Sequence, residues 1–335
     1  MNFDTIAKRS HITGQIRSFF HTMQYLEVET PILSPSLIPE STIEVFETTF
    51  SSDFHNSHQL YLIPSPEVFM KKLIAMGSGH IFQITKSFRN SEQIGKNHNP
   101  EFTMLEWYTM NADYLDSIEI TENFLSSLTI KNTPDWFKTP FIRKSVDELF
   151  KEILSIDLLK HQTKTLLSRQ ALNLGLGPDK NDSWEDIFNR IFLNFIEPKL
   201  PKDRPVIIYN YPKQIRCLAK EVKGTPWRER WELYVNGMEL ANCYSEETDS
   251  KKVQNILETE YVKKASSGGV IPDIDSNYNM IFNSDFPKCS GVALGVDRLI
   301  MLLTDSPDIE GVILFPFSDM VGGENGNRKK GDRKK

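Results

Sequence analysis

Cysteine is scarce in this chain: Cys217, Cys243 and Cys289 are the only three among 335 residues, far apart and without a CxxC pair. That spacing argues against a zinc site or a disulfide framework and suits a reducing, cytoplasmic compartment. No apolar run approaches the ~20 residues that a membrane span needs. The first ten residues, MNFDTIAKRS, lack the apolar core of a signal peptide. Internal repeats are absent, and so is an excess of positive charge. The net charge of −6 does not favour broad contact with a phosphate backbone, although a local basic patch would suffice for nucleic acid. The length admits one long domain or two.

The hydrophobic pattern predicts a helix over Asp4–Met23, carried by Ile6, Ile12, Ile16, Phe19, Phe20 and Met23. Tyr25–Thr30 is extended ahead of Pro31, Ser34–Glu44 reads as a proline-marked loop and Leu60–Ile63 as a short strand. Ser65-Pro66-Glu67 offers a capping serine, a proline suited to the first helical position and a carboxylate that complements the helix dipole. That helix is expected to reach about Met76 and stop at Gly77. Asp113 to about Asn194 reads as mostly helical, with a helix start at Ser183-Trp184-Glu185-Asp186. Further on come a buried strand at Pro205–Tyr209, a polar helix over Asp249–Ser266 and a last short strand at Val312–Phe315. The Gly-rich, basic tail Val321–Lys335 has no apolar anchor and is expected to be disordered.

Three constellations carry chemistry. In Phe88–Tyr108, FRNSEQIGKNHNPEFTMLEWY, an Arg follows the strand-like His80–Phe88; then come a polar loop, His98-Asn99-Pro100-Glu101-Phe102 and a second apolar segment. As a hairpin, this stretch presents a fixed cation, loop donors and an aromatic ring to one ligand, the parts that a nucleoside triphosphate requires. Glu106 and Tyr108 flank Trp107 and share a strand face, where they could hold an ammonium group. Arg230–Ala241 is the clearest hairpin, with Asn236-Gly237 at its turn. A two-residue turn sets Val235 opposite Met238, Tyr234 opposite Glu239 and Glu232 opposite Ala241, so Glu232, Tyr234 and Glu239 share a face. Carboxylates so placed repel unless a cation lies between them, and Mg2+ takes a few carboxylates together with phosphate oxygens. A solvated face with exposed glutamates fits the hairpin equally well. Glu246 lies seven residues beyond Glu239, and strict alternation puts it on the other face unless a bulge intervenes. In the third constellation, Gly291-Val292-Ala293-Leu294-Gly295-Val296-Asp297-Arg298-Leu299, small residues allow close backbone approach and Arg298 offers a fork to phosphate. Tight strand–helix packing with an Arg–Asp ion pair is the other reading. Singly, His98, Phe102 and Glu67 read as a loop polar residue, a core aromatic and a dipole partner.

In this order the motifs resemble the catalytic domain of class II lysyl-tRNA synthetases and, more closely, the stand-alone elongation factor P lysine ligase family, over roughly residues 8–317. Phe19-Phe20 through Leu26-Glu27-Val28-Glu29-Thr30-Pro31 is similar to motif 1, which builds the dimer interface of this class. FRNSEQIGKNHNPEFTMLEWY is similar to motif 2, Ser65-Pro66-Glu67 to the substrate-recognition turn, HNPEFTMLEWY and ELANCYSEETD to the active-site strands and CSGVALGVDRL to motif 3.

The resemblance implies an α+β fold, a mainly antiparallel sheet flanked by helices, as one catalytic domain over residues 1–320 with the basic tail at 321–335. It implies a homodimer, and ATP- and Mg2+-dependent adenylation of (R)-β-lysine or lysine followed by transfer to a lysine of elongation factor P. Arg89 would then neutralise the α-phosphate and Arg298 hold the γ-phosphate, these two being the catalytic cations. Phe102 would stack on adenine, with Asn90, His98 and Asn99 near the nucleotide and Glu239, Leu240 and Gly295 lining its site. Glu232 and Glu239 would coordinate Mg2+. Ser65, Pro66 and Glu67 would meet the reactive end of the amino acid, and Glu246 with Tyr108 its distal ammonium. Ala293 stands where lysyl-tRNA synthetases typically have Gly, a change that suits a β-amino substrate. The chain departs from the family's usual motif 2 by placing Ser91, then Glu92, where a Glu is expected, so the adenine contact falls to one or the other. It also begins almost at motif 1, with no room for an anticodon-binding domain, so no tRNA partner is expected. A truncated lysyl-tRNA synthetase that charges tRNA, an inactive synthetase-like binding protein and an ammonia-using asparagine synthetase of the same fold are the rival readings.

Overall fold

A computed structural model describes residues 3–52, 55–91, 95–130, 134, 140–283 and 285–322. In chain order the strands are β1 (Leu26–Glu27), β2 (Leu33–Ser34), β3 (Glu47–Ser52), β4 (His55–Leu62), β5 (Ile81–Phe88), β6 (Glu101–Met110), β7 (Ile142–Ser145), β8 (Val206–Pro212), β9 (Trp227–Val235), β10 (Met238–Ser245) and β11 (Cys289–Gly295). The helices are α1 (Phe3–Thr22), α2 (Glu67–Ala75), α3 (Tyr114–Ser127), α4 (Val146–Leu154), α5 (Lys164–Asn173), α6 (Trp184–Ile191), α7 (Ser250–Ser267), α8 (Val296–Thr304) and the single turn α9 (Phe317–Met320).

Eight strands form one sheet in the order β1-β5-β6-β11-β10-β9-β8-β7, and β2, β4 and β3 form a small second sheet. The central pairs of the large sheet are antiparallel, and only its outermost pairs, β1 with β5 and β7 with β8, are parallel. The α+β expectation holds. Among the described residues no helix is long and apolar enough to cross a membrane, and all three cysteines are free thiols.

Side-chain alternation gives the central strands two unlike faces. Leu105 and Trp107 of β6, Val292 and Leu294 of β11, Ala241 and Cys243 of β10 and Trp231 and Leu233 of β9 all enter one apolar cluster. That cluster is closed by Ile12, Ile16 and Phe20 of α1, Ile118 and Phe124 of α3 and Leu299 and Ile300 of α8. A second cluster packs α4, α5 and α6 against β8, and a third packs α2 and α7 near Tyr278 and Phe282. The opposite face of the central strands carries polar residues and faces the cavities described below.

Several local expectations need correction. Pro66 occupies the cap position of α2 rather than its first helical position, and Ser65 makes no cap bond. The 113–194 region also contains β7, which gains a partner only in β8, sixty residues on. Val312–Phe315 is not a strand. The Val312 and Ile313 N–H groups both bond the carbonyl of Ile309, in a turn that follows the short helix at Ile309–Gly311, and Arg9 takes the Val312 carbonyl, so the first half of the segment is not available for a ladder. The tail expected to be disordered lies, from residue 323 on, outside the described residues.

Candidate active site

Two adjoining cavities open on the polar face of the sheet. The first, about 200 Å3, is lined by Arg89, His98, Phe102, Glu239, Gly295 and Arg298, among others. The second, about 60 Å3, is lined by Glu40, Glu67, Glu106, Tyr108, Glu246 and Ala293, among others. Arg89, Met104, Asn242 and Ala293 belong to both.

In the first cavity the two cations arrive from opposite directions. Arg89 follows β5, whose hairpin with β6 runs in register from Ile81↔Tyr108 to Phe88↔Glu101. Its guanidinium lies 5.3 Å from the centroid of the Phe102 ring. Its Nε is buried and has no hydrogen-bond partner among the described residues, a donor that an anion would satisfy. Arg298, in the first turn of α8, donates from Nη1 to the Glu239 carbonyl at 2.7 Å and from Nε to the Asn97 carbonyl at 3.2 Å. Its Nη2 lies 2.8 Å from His98 Nε2. The Arg298–Asp297 ion pair of the alternative reading does not form among the described residues. Asp297 Oδ1 takes Arg9 of α1 at 2.6 Å, and its Oδ2 accepts from the Thr103 N–H at 2.6 Å. The aspartate thus ties α1 and β6 to α8 and leaves Arg298 to the cavity.

Asn99 lines this cavity, but its amide is committed to loop structure: Nδ2 donates to the Glu101 carbonyl at 2.6 Å and Oδ1 accepts from the Phe317 N–H at 3.0 Å. Asn90 lies outside the lining, where its Oδ1 accepts from Ser91 N at 2.8 Å. Ser91 adopts φ of 55°, and Glu92 lies outside the described residues.

The hairpin β9–β10 differs from strict alternation at one residue. Val235 pairs with Met238 and Tyr234 with Glu239, but the register then shifts, so that Glu232 pairs with Asn242 and not with Ala241. The bulge at Leu240 lets that side chain enter the core while Glu239 stays on the cavity side, and from Asn242 onward alternation carries Tyr244 and Glu246 to the same side. One extra residue therefore resolves the parity of Glu246.

Glu232 is held by three donors: Arg230 Nη2 at 2.5 Å on Oε1, and the hydroxyls of Tyr211 and Tyr234 at 2.6 and 2.9 Å on Oε2. Glu239 has no side-chain hydrogen bond among the described residues. Burial, then the charge of Glu232, pushes its carboxyl up to about 7 against the pull of Arg298. A divalent cation would relieve that repulsion, so the pair fits Mg2+ with phosphate oxygens completing the shell. Among the described residues no group of three or more His, Cys, Asp or Glu forms a metal site by itself.

The second cavity is acidic. Tyr108 donates to Glu106 Oε1 at 2.8 Å, while Glu106 Oε2 is buried without a hydrogen-bond partner among the described residues. Burial, reinforced by Glu67, lifts the Glu106 carboxyl to about 8. Lys71 of α2, with no exposed side-chain surface, bridges Glu67 Oε1 at 2.5 Å and Glu246 Oε2 at 2.6 Å. Burial raises Glu246 despite Lys71, whereas the neighbouring carboxylates hold the Lys71 ammonium well above its ordinary value. The short contact favours the ionised pair. Gly291 makes room here: a Cβ on it would fall 2.5 Å from Tyr108 Cε1 and 2.6 Å from Glu246 Oε1. Ser65 lines the cavity and Pro66 does not. Glu40, Glu67, Glu106 and Glu246 share this lining with one cation, Arg89, while Lys71 pairs with Glu67 and Glu246 from outside it, an arrangement that favours a cationic ligand.

Sequence reasoning missed Lys71, Glu40 and Arg230. Lys71 lies one turn after Glu67 on the same helix face, a signal that could have been read. Glu40 sits in a loop, and no periodicity points to it. Arg230 stacks over Tyr211 at 4.7 Å and Tyr244 at 5.5 Å, contacts that exist only once the strands pair.

A family model described as tRNA synthetases class II (D, K and N) matches residues 2–319. Proteins named elongation factor P--(R)-beta-lysine ligase from Salmonella paratyphi B and Salmonella typhimurium are each 36% identical to this chain over 314 residues, covering 92% of it and 94% of theirs.

Proposed function

This chain belongs to the class II tRNA synthetase family, and from that premise we propose that it activates (R)-β-lysine, or lysine, with ATP and passes the acyl group to a lysine ε-amine of elongation factor P. The observation that carries this reading is the position of Arg89 in the lining of both cavities. A cation shared by an anion-binding aromatic cavity and an acidic one lies where an α-phosphate meets the carboxylate of a bound amino acid.

ATP would lie in the larger cavity with adenine on Phe102, its α-phosphate at Arg89 and its γ-phosphate at Arg298. His98, Glu239, Leu240 and Gly295 line that space. The amino acid would lie in the smaller cavity, its reactive-end amine toward Ser65 and Glu67 and its distal ammonium toward Glu246, Tyr108 and Glu106. A carboxylate oxygen then bonds to the α-phosphorus, the bond to the bridging oxygen breaks, and pyrophosphate leaves with the electron pair. Arg89 and Arg298 stabilise the charge that shifts onto phosphate oxygens, and no protein nucleophile is needed. Mg2+ held by Glu232 and Glu239 would supply further neutralisation of phosphate charge. Met23, Leu26, Ile32 and Leu33 expose apolar surface beside the motif 1 segment, which supports a homodimer built there.

ATP–pyrophosphate exchange with (R)-β-lysine and α-lysine in parallel tests the reading. Exchange at least about tenfold faster with (R)-β-lysine, followed by labelling of elongation factor P, is the expected result. Exchange with α-lysine alone and charging of tRNA would replace it with a lysyl-tRNA synthetase, and silence with both amino acids would overturn activation itself.

A further inference from the structure

Glu40 sits in the segment between β2 and β3, and that segment is pinned on both sides of it. Leu37 N–H donates to the Asp273 carbonyl at 2.9 Å. Ser41 donates from its N–H and its hydroxyl to Glu260 Oε2 at 3.2 and 2.7 Å. Lys264 of α7, buried to 1%, donates to the carbonyls of Glu40 and Ile43. The backbone is thereby fixed, while the Glu40 carboxylate has no hydrogen bond or ion pair among the described residues. A carboxylate without a partner among the described residues, on a fixed backbone, is pre-positioned for a ligand.

That carboxylate stands at a junction. Glu40, Glu67 and Tyr244 line the small acidic cavity and also a third cavity of about 360 Å3. The third cavity has exposed residues, Asn189, Leu193 and Arg216, at one end. Glu232, Glu260 and the rings of Tyr211 and Phe192 also line it. An acidic and aromatic passage suits a long aliphatic side chain with a cationic tip. It meets the amino-acid cavity at Glu40, Glu67 and Tyr244, and the charge of Arg89 acts on the Glu40 carboxylate there.

Resting on the reaction proposed above, we propose that this third cavity admits the acceptor lysine and that Glu40 is the base that takes a proton from its ε-ammonium. The Glu40 carboxylate accepts one proton from the ammonium, and the freed lone pair forms the C–N bond at the acyl carbon of the adenylate. The C–O bond to phosphorus-bound oxygen breaks, and its electron pair leaves with AMP. The second proton on nitrogen passes to the departing phosphate. The groups that face Glu40 are Glu67 of α2, Arg89 after β5, Arg230 of β9 and Glu260 of α7. Burial and Glu67 together outweigh the two arginines and lift its carboxyl to about 7, a useful value for a base at neutral pH.

The test compares E40Q with the unaltered chain in three assays: pyrophosphate exchange, single-turnover transfer to elongation factor P, and trapping of the adenylate by hydroxylamine, a nucleophile neutral at pH 7. Transfer to the protein lysine is expected to fall about a hundredfold more than exchange does, while hydroxamate formation falls far less than transfer. Transfer by the unaltered chain should rise with pH through about 7, as the carboxyl ionises, and this rise should vanish in E40Q. Equal losses in exchange, trapping and transfer, with a raised KM for the amino acid, would make Glu40 a contact of the activated amino acid and overturn its role as a base. Undiminished transfer would overturn it as well. Failure of the unaltered chain to exchange pyrophosphate would instead strike the activation reading on which the inference rests. E40D, which keeps the carboxylate but shortens the reach, should retain the pH-dependent rise at a lower rate.

Discussion

Lys71 has no exposed side-chain surface, and an ammonium so placed persists only with carboxylates around it; it has Glu67 and Glu246. Glu246 is therefore occupied before any substrate arrives, and a distal ammonium entering the site would share it with Lys71. Arg298 is set differently, since among the described residues its hydrogen-bond partners are two carbonyls and a histidine and none is an acid. Its charge is left for a ligand. Arg298→Ala should lower pyrophosphate exchange about 10²- to 10³-fold with an unchanged circular dichroism spectrum. Exchange at the wild-type rate would remove Arg298 from the phosphate site. Arg89, His98 and Arg298 could be read from the chain because motif order fixes them. Glu40 could not, because its significance comes from a loop course that only the folded chain defines, and of Lys71 only the one-turn spacing from Glu67 was legible, not its burial between two carboxylates.

At the scale of elements, one inserted residue and one missing side chain shape the site. The NG turn fixed the register of β9 and β10 at its first two pairs, Val235↔Met238 and Tyr234↔Glu239, which were legible from the sequence. The bulge at Leu240 was not, because an alternation pattern carries no mark of a residue that pairs with nothing. It is also what brings Glu239 and Glu246 to one side of the sheet. The strand run Val312–Phe315 failed as a strand for the converse reason: its pattern was apolar, but the N–H groups of Val312 and Ile313 and the carbonyl of Val312 were already taken by Ile309 and Arg9. On β11 the absence of a Cβ at Gly291 is what lets Tyr108 and Glu246 converge. Gly291→Ala should push both away at a cost of about 1–3 kcal/mol in amino-acid binding, with ATP binding little changed. Titration of each ligand by calorimetry would check this, and equal losses for both ligands would show that the strand itself had moved.

At the scale of the whole molecule, the site stores unfavourable charge that a substrate can neutralise. Glu40 and Glu106, raised to about 7 and about 8 from an ordinary 4.5, hold protons in the folded chain at pH values where the unfolded chain has released them. Their contribution to stability is therefore fully present below about 4.5 and is lost as pH rises through 7 and 8. Glu246 is left out of this window because its contact with Lys71 keeps it charged. A bound amino acid that brings ammonium groups into the acidic cavity reverses the penalty, since it favours the ionised carboxylates. The melting temperature of the free chain should thus fall between pH 6 and 8.5 beyond what a surface of this net charge gives. The rise in melting temperature caused by saturating (R)-β-lysine should grow across the same interval. Binding must also release protons, so the calorimetric heat at pH 7 should depend on the ionisation enthalpy of the buffer with the sign of release. Proton uptake, or a ligand-induced shift that stays constant from pH 6 to 8.5, would mean that the acidic cavity does not receive the ammonium groups. The amino acid would then have to be placed elsewhere on the polar face of the sheet.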